Sequence, residues 1–194
     1  MPYFQINTLG DDLDREVAFV ESEPEDLGGF GYRLAEGDPA ADIYPQDARV
    51  YLNPYSPGLV LPTLLGNSVG YLIVNTAFKA IAERCDIAPT EAHPLAIYNQ
   101  RRRLHSRDYW ILNPLRFVDC LNKAASRIQY ASSDPLQIVG IDEVVFDPKR
   151  LEQAPDLFRI REQPVGYFAS HRLLGAMQGQ GFTNLFVNEI KEQG

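Results

Sequence analysis

Twice in this chain a short apolar run stops at a residue whose side chain can cap a helix, and this junction limits the fold more than any other feature. Tyr71-Leu72-Ile73-Val74 is a buried-strand pattern, and Asn75 after it offers an N-cap oxygen for a helix over residues 76–85. Val74, Ala77, Phe78, Ile81 and Cys85 recur at helical spacing on one face. Pro89 closes the unit, and a strand over 95–99 follows. Near the C-terminus the order returns. Gly166-Tyr167-Phe168-Ala169 reads as a strand, Ser170 as an N-cap, and 171–178 as a helix with Leu173, Leu174 and Met177 on its apolar side. Gly179 and Gly181 then offer C-cap geometry before a strand over 184–188. Either two related strand–helix–strand units or ordinary turn chemistry used twice accounts for the pattern.

Around these units, residues 3–7 and 15–20 read as short strands flanking the acidic turn Gly10-Asp11-Asp12. From 21 to 62 Pro, Gly and acids punctuate the chain too often for a long element, so loop with strand fragments is expected. Phe30, Tyr32, Tyr44, Tyr51 and Tyr55 recur through it, which argues for a segment draped on the core. Tyr109-Trp110-Ile111-Leu112-Asn113, Phe117-Val118-Asp119-Cys120-Leu121, 138–146 and 157–160 are strand-like, being β-branched or aromatic and bounded by Pro or Asp. Arg101-Arg102-Arg103-Leu104-His105-Ser106-Arg107 reads as the tip of a hairpin between 95–99 and 109–112. The class is α+β, with a mixed, mainly antiparallel sheet and a few short helices. One domain over 1–194 is expected, with an acidic, loop-rich part (1–57) and a core part (58–194).

Charge is distributed unevenly. Residues 1–50 carry 12 acidic and 3 basic side chains, a net of −9, whereas 51–194 carry a net of +1. Such a field repels nucleic acid and membrane surfaces and favours a basic partner, although a solubilising segment has the same composition. Asp11, Asp12, Asp14, Glu23, Glu25 and Asp26 are the candidate partner-binding residues. No apolar run approaches the roughly 20 residues that span a bilayer. The first residues lack a basic-then-apolar leader pattern, so a cytoplasmic location is expected. Cys85 and Cys120, the two cysteines, suit free thiols in a reducing compartment.

Catalytic constellations are sparse. Gly28-Gly29-Phe30-Gly31 is followed by Tyr32 and Arg33, so neither a P-loop nor a dinucleotide-binding turn is completed. His93, His105 and His171 show no metal-ligand spacing. No metal, cofactor or catalytic residue is therefore assigned. The alternative is a small hydrolase or transferase working near Cys120, which a histidine in hydrogen-bond reach would support. The Arg101–Arg107 cluster could meet phosphates, or serve as a charged tip that resists edge pairing.

An ordered set of segments resembles a family of bacterial immunity proteins from polymorphic toxin systems, known from myxobacteria and other proteobacteria. The set begins with Gly58-Leu59-Val60-Leu61-Pro62, Leu65-Gly66-Asn67 and Tyr71-Leu72-Ile73-Val74-Asn75. It continues with Tyr109-Trp110-Ile111-Leu112-Asn113, Val118-Asp119-Cys120-Leu121-Asn122 and Ser126. Leu157-Phe158-Arg159-Ile160, Tyr167-Phe168-Ala169-Ser170 and Gly181-Phe182-Thr183-Asn184-Leu185-Phe186 complete it. It covers about residues 45–190. Asn122 stands where the family tends to have an acid, and Asn75 where it often has Ser. The resemblance implies a non-catalytic protein that binds a cognate toxin and occludes its site, a basic nuclease being the obvious partner.

Overall fold

Each of the two strand–cap–helix junctions anchors one of two sheets. The computed structural model describes all residues except Met1, Asp12, Pro54 and Ser56. In chain order the elements are β1 (Tyr3–Ile6), β2 (Phe19–Val20), α1 (Tyr32–Glu36), β3 (Arg49–Tyr51), β4 (Gly66–Asn67), β5 (Leu72–Asn75) and α2 (Thr76–Ala82). Then follow β6 (Thr90–Tyr98), β7 (Leu104–Pro114), β8 (Arg127–Ala131), β9 (Asp134–Glu143), β10 (Val145–Phe146) and a 3-10 turn (Pro148–Leu151). The chain ends with β11 (Leu157–Ile160), β12 (Gln163–Ser170), α3 (His171–Met177) and β13 (Val187–Glu192).

A four-stranded sheet has the order β3-β6-β7-β5, and a five-stranded sheet β10-β13-β1-β12-β11. In each, one strand runs straight into a helix and the chain returns as a second strand of the same direction. One antiparallel strand is slotted between the two: β7 between β5 and β6, β1 between β12 and β13. Each sheet also ends on a short parallel strand, β3 against β6 and β10 against β13. On the other side, the bridge of Leu64 to Val74 stands where β11 pairs with β12. The two units are therefore related. One permutation separates them, because the N-terminus supplies the middle strand of the second sheet.

Register makes the equivalence residue by residue. Asn75 faces Tyr109 and Leu72 faces Leu112, as Ser170 faces Tyr3 and Tyr167 faces Ile6. Asn75 thus corresponds to Ser170 and Tyr109 to Tyr3. The Gly70-Tyr71 and Gly166-Tyr167 pairs, similar in sequence, are one position out of register. Both caps form as expected: the Asn75 side chain accepts from the Phe78 N–H and the Ser170 hydroxyl from the Leu173 N–H.

Strand alternation then creates three cores. Leu72, Val74 and Leu112 of one sheet share a cluster with Ile6, Tyr167 and Ala169 of the other, with Phe78 and Leu173 of the two helices among them. On the outer side of the first sheet, Ile73, Tyr109 and Ile111 pack with Leu27, Leu34, Val50 and Leu52. On the outer side of the second, Tyr3, Phe158 and Phe168 pack with Val118, Cys120 and Phe146. The acidic segment is thus one wall of a core, where the sequence suggests a loop laid over it.

Arg159 ties these layers together. It is fully buried and forms no ion pair among the described residues. Nη2 donates to the Leu34 carbonyl at 2.9 Å and Nη1 to that of Ala35 at 2.5 Å, both in α1. Further bonds reach the Pro114 and Pro164 carbonyls and the Tyr167 hydroxyl. Carbonyl dipoles at a helix C-terminus take the place of a counter-ion. Gly37 completes the turn with φ 80°, and a Cβ there would stand 2.8 Å from Arg159 Cδ.

Several segments differ from expectation. The helix α1 lies inside the stretch read as loop. Residues 117–121 form single bridges, Phe117 to Arg159 and Leu121 to Phe146, and no strand. The strand read at 15–20 shortens to β2, and the one read at 184–188 begins at Val187. β8 lies outside every segment with a strand pattern; it pairs with β9 in a separate two-stranded hairpin. The β6–β7 hairpin forms with a shorter tip than the expected 101–107, because β7 begins at Leu104; the Asn99 side chain holds the turn, accepting from the Arg101 and Arg103 N–H groups. No helix among the described residues is long and apolar enough to cross a membrane.

Candidate functional site

The candidate acids fall into two groups on either side of β2. Asp11 and Asp14 build a turn: Asp11 Oδ1 accepts from the Leu13 and Asp14 N–H groups, and Asp14 Oδ1 from that of Glu16. The turn is tethered by the Asp11 N–H to Asn184 Oδ1 at 2.6 Å. Asp12 lies outside the described residues. Beyond β2, Glu25 pairs with Arg49 at 3.2 Å and accepts from the Tyr51 hydroxyl. Glu23 lies over Gly31, filling the space a side chain there would need. Asp26 sits in a left-handed turn, φ 69°. All five described acids are exposed. No hydrogen bond or ion pair joins the two groups among the described residues.

The residues weighed for catalysis are scattered. Cys120 is fully buried in the second outer core, and burial first, then Asp119 and Glu162, push its thiol up to about 12. A thiol in that state is inert at neutral pH. His93 stacks on Tyr44 at 4.3 Å and contacts Glu91 at 3.0 Å. His105 Nε2 lies 2.8 Å from the Leu59 carbonyl. His171 opens α3. None of the three hydrogen-bonds Cys120, and no grouping of His, Cys, Asp and Glu fit for a metal exists among the described residues. At the hairpin tip Arg102 stacks on Tyr51 at 4.8 Å, while Arg101 and Arg103 there and Arg107 in β7 are exposed without an ion pair among the described residues.

Two of the concavities beside α3 differ sharply in polarity. One is an apolar groove of 580 Å³ lined by Phe4, Leu174, Met177, Phe182 and Leu185. The other is a polar pocket of 570 Å³ at the head of the helix. Its floor is Asp156, whose side chain is 6% exposed. Asp156 Oδ1 accepts from the Ser170 hydroxyl at 2.5 Å, and Oδ2 accepts from Arg172 Nη2 at 2.6 Å and the Asp86 N–H at 3.0 Å. Burial alone would raise this carboxyl. The Arg172 and Ser170 bonds outweigh it and hold the group below the usual range. The sequence identified Ser170 as a cap, but Asp156 gave no local signal, because its partners lie in other segments.

The model of the immunity protein family Imm11 matches residues 9–192. Comparison with curated proteins gives no match. The matched span starts well before residue 45, so it takes in the acidic segment that the resemblance in sequence left out.

Proposed function

The chain belongs to the Imm11 immunity protein family, and from that premise we propose that it binds a cognate protein toxin and neutralises it by occlusion, without chemistry of its own. The observation that carries the reading is the family match across nearly the whole chain. All 194 residues act as one unit in this reading, since the N-terminal segment walls one core and β1 sits inside the C-terminal sheet. The protein works in the cytoplasm of the cell it protects. The competing reading, an enzyme at Cys120, lacks support from the buried thiol.

Asp11, Asp12, Asp14, Glu23, Glu25 and Asp26 steer the approach of a basic toxin, a nuclease being the leading candidate. Exposure of the five described members supports this, as does the single ion pair among them, Glu25 with Arg49. Steering of this kind acts on the association rate and is screened by salt.

Co-expression and pull-down with the protein encoded beside this one test the reading. A stoichiometric complex that relieves the neighbour's toxicity is expected. Its association should slow about tenfold or more between low and high salt. The Asp11→Asn, Asp12→Asn, Asp14→Asn triple variant should blunt that dependence, and a flat salt response in wild type would remove the steering role.

A further inference from the structure

The equivalent tyrosines of the two units are treated differently. Tyr109 in the first donates its hydroxyl to the Pro62 carbonyl. Tyr3, its counterpart, is held edge-on against Phe158 at 5.5 Å and Phe146 at 6.4 Å and is 7% exposed. Yet its hydroxyl makes no hydrogen bond among the described residues. Nor is it sealed in: the sealed, unpartnered side-chain polar atom among the described residues is Gln163 Oε1. Tyr3 lines the polar pocket at the head of α3, and burial, then Asp156 and Glu192 of that same pocket, raise its phenol.

The charge of that pocket is one-sided. Arg172 answers Asp156, but Asp86, Glu152 and Glu192 also line the space and form no ion pair among the described residues. Leu151 and Ala154 add apolar wall. Carboxylates and a phenol oxygen beside aliphatic surface are the complement of a side chain with an apolar stem and a cationic, hydrogen-donating head. An anion would be repelled.

We propose that this pocket receives a basic side chain, arginine or lysine, presented by the protein that the chain binds. The identity of that presenting protein rests on the immunity reading; the chemistry of the pocket does not.

n-Butylguanidinium, a guanidinium on an apolar four-carbon stem, is the probe, titrated into the isotope-labelled protein and followed by NMR. Saturable shifts are expected at Tyr3, Asp156, Arg172 and residues 151–154. Butylurea, a neutral analogue, should give none. In Glu152→Gln with Glu192→Gln the apparent Kd should rise about tenfold, and in Tyr3→Phe about threefold to tenfold, the fold being intact because that hydroxyl bonds nothing among the described residues. Shifts that are absent, or that persist unchanged in the variants, overturn the site.

The second arm is the toxin complex. The same double variant should bind it at least about tenfold more weakly, mainly through faster dissociation. A complex equally tight in wild type and variant overturns the proposal and leaves the immunity reading standing. If wild type forms no complex, the immunity reading falls. Butylguanidinium binding would then assign the pocket to a free cation, which overturns the protein source.

Discussion

Residues 49–98 and 145–192 run through the same order of strands and helix, yet the corner before α2 is closed and the corner before α3 is open. In the first, Tyr109 is bonded to Pro62, and Thr63 exchanges two hydrogen bonds with Thr183, each 3.1 Å long. In the second, Asp156 holds the position of Thr63, since its carbonyl accepts from the Ser170 N–H as that of Thr63 does from Asn75. Its carboxylate gathers Ser170, Arg172 and the Asp86 backbone, while the Tyr3 hydroxyl has no hydrogen bond among the described residues. The frame demands only a cap oxygen and an apolar strand. What lies around the cap is free to differ, and in this chain one corner is satisfied internally while the other faces outward.

The largest effect should come from the residue that serves both units. Arg159→Met strips buried carbonyls of Leu34, Ala35 and Pro114 of their donor, and should cost about 4 kcal/mol or more in denaturant unfolding. A loss under about 1 kcal/mol would mean those carbonyls find other partners.

The caps separate the two corners more finely. Asn75→Ala removes one cap bond and should cost about 1 kcal/mol, whereas Ser170→Ala also frees Asp156 and should cost about 2 kcal/mol. Equal losses would erase the distinction. The pH dependence has a definite sign. Asp156 is depressed in the folded state, so its contribution is full above the ordinary carboxylate pKa of about 4 and is lost as pH falls through its lower folded value. The stability gap between wild type and Asp156→Asn should therefore be widest near neutrality and narrow below about pH 4.

The smallest contrast is the most specific. Tyr109→Phe should cost about 1 kcal/mol, while Tyr3→Phe should stay within about 0.5 kcal/mol of wild type. A large loss at Tyr3 would show that its hydroxyl has an internal structural role.

The helix caps and β11 were legible because each is fixed by residues adjacent in sequence. The strand insertion of β1 was not, because nothing in Tyr3–Ile6 names Ser170 or Ile190 as its neighbours. The helix α1 hid behind Gly28, Gly29 and Gly31, and it is held less by its own five residues than by a guanidinium more than 120 positions away. Arg159 itself left a faint trace, a charged residue inside the apolar run Leu157-Phe158-Arg159-Ile160. Residues 117–121 look like a strand because Phe117, Val118, Cys120 and Leu121 make the run apolar, yet they meet the sheet through single bridges and form no strand of it. The acids of the first 50 residues were plain in the sequence. That leucines among them complete a core depended on packing that no local pattern records.

Toxin neutralisation is read out by co-expression with the neighbouring gene product. Cells expressing the neighbour alone should stop growing, and growth should return when this chain is added and co-purifies with the neighbour in equal amounts. A toxic neighbour that this chain neither binds nor relieves would contradict the account.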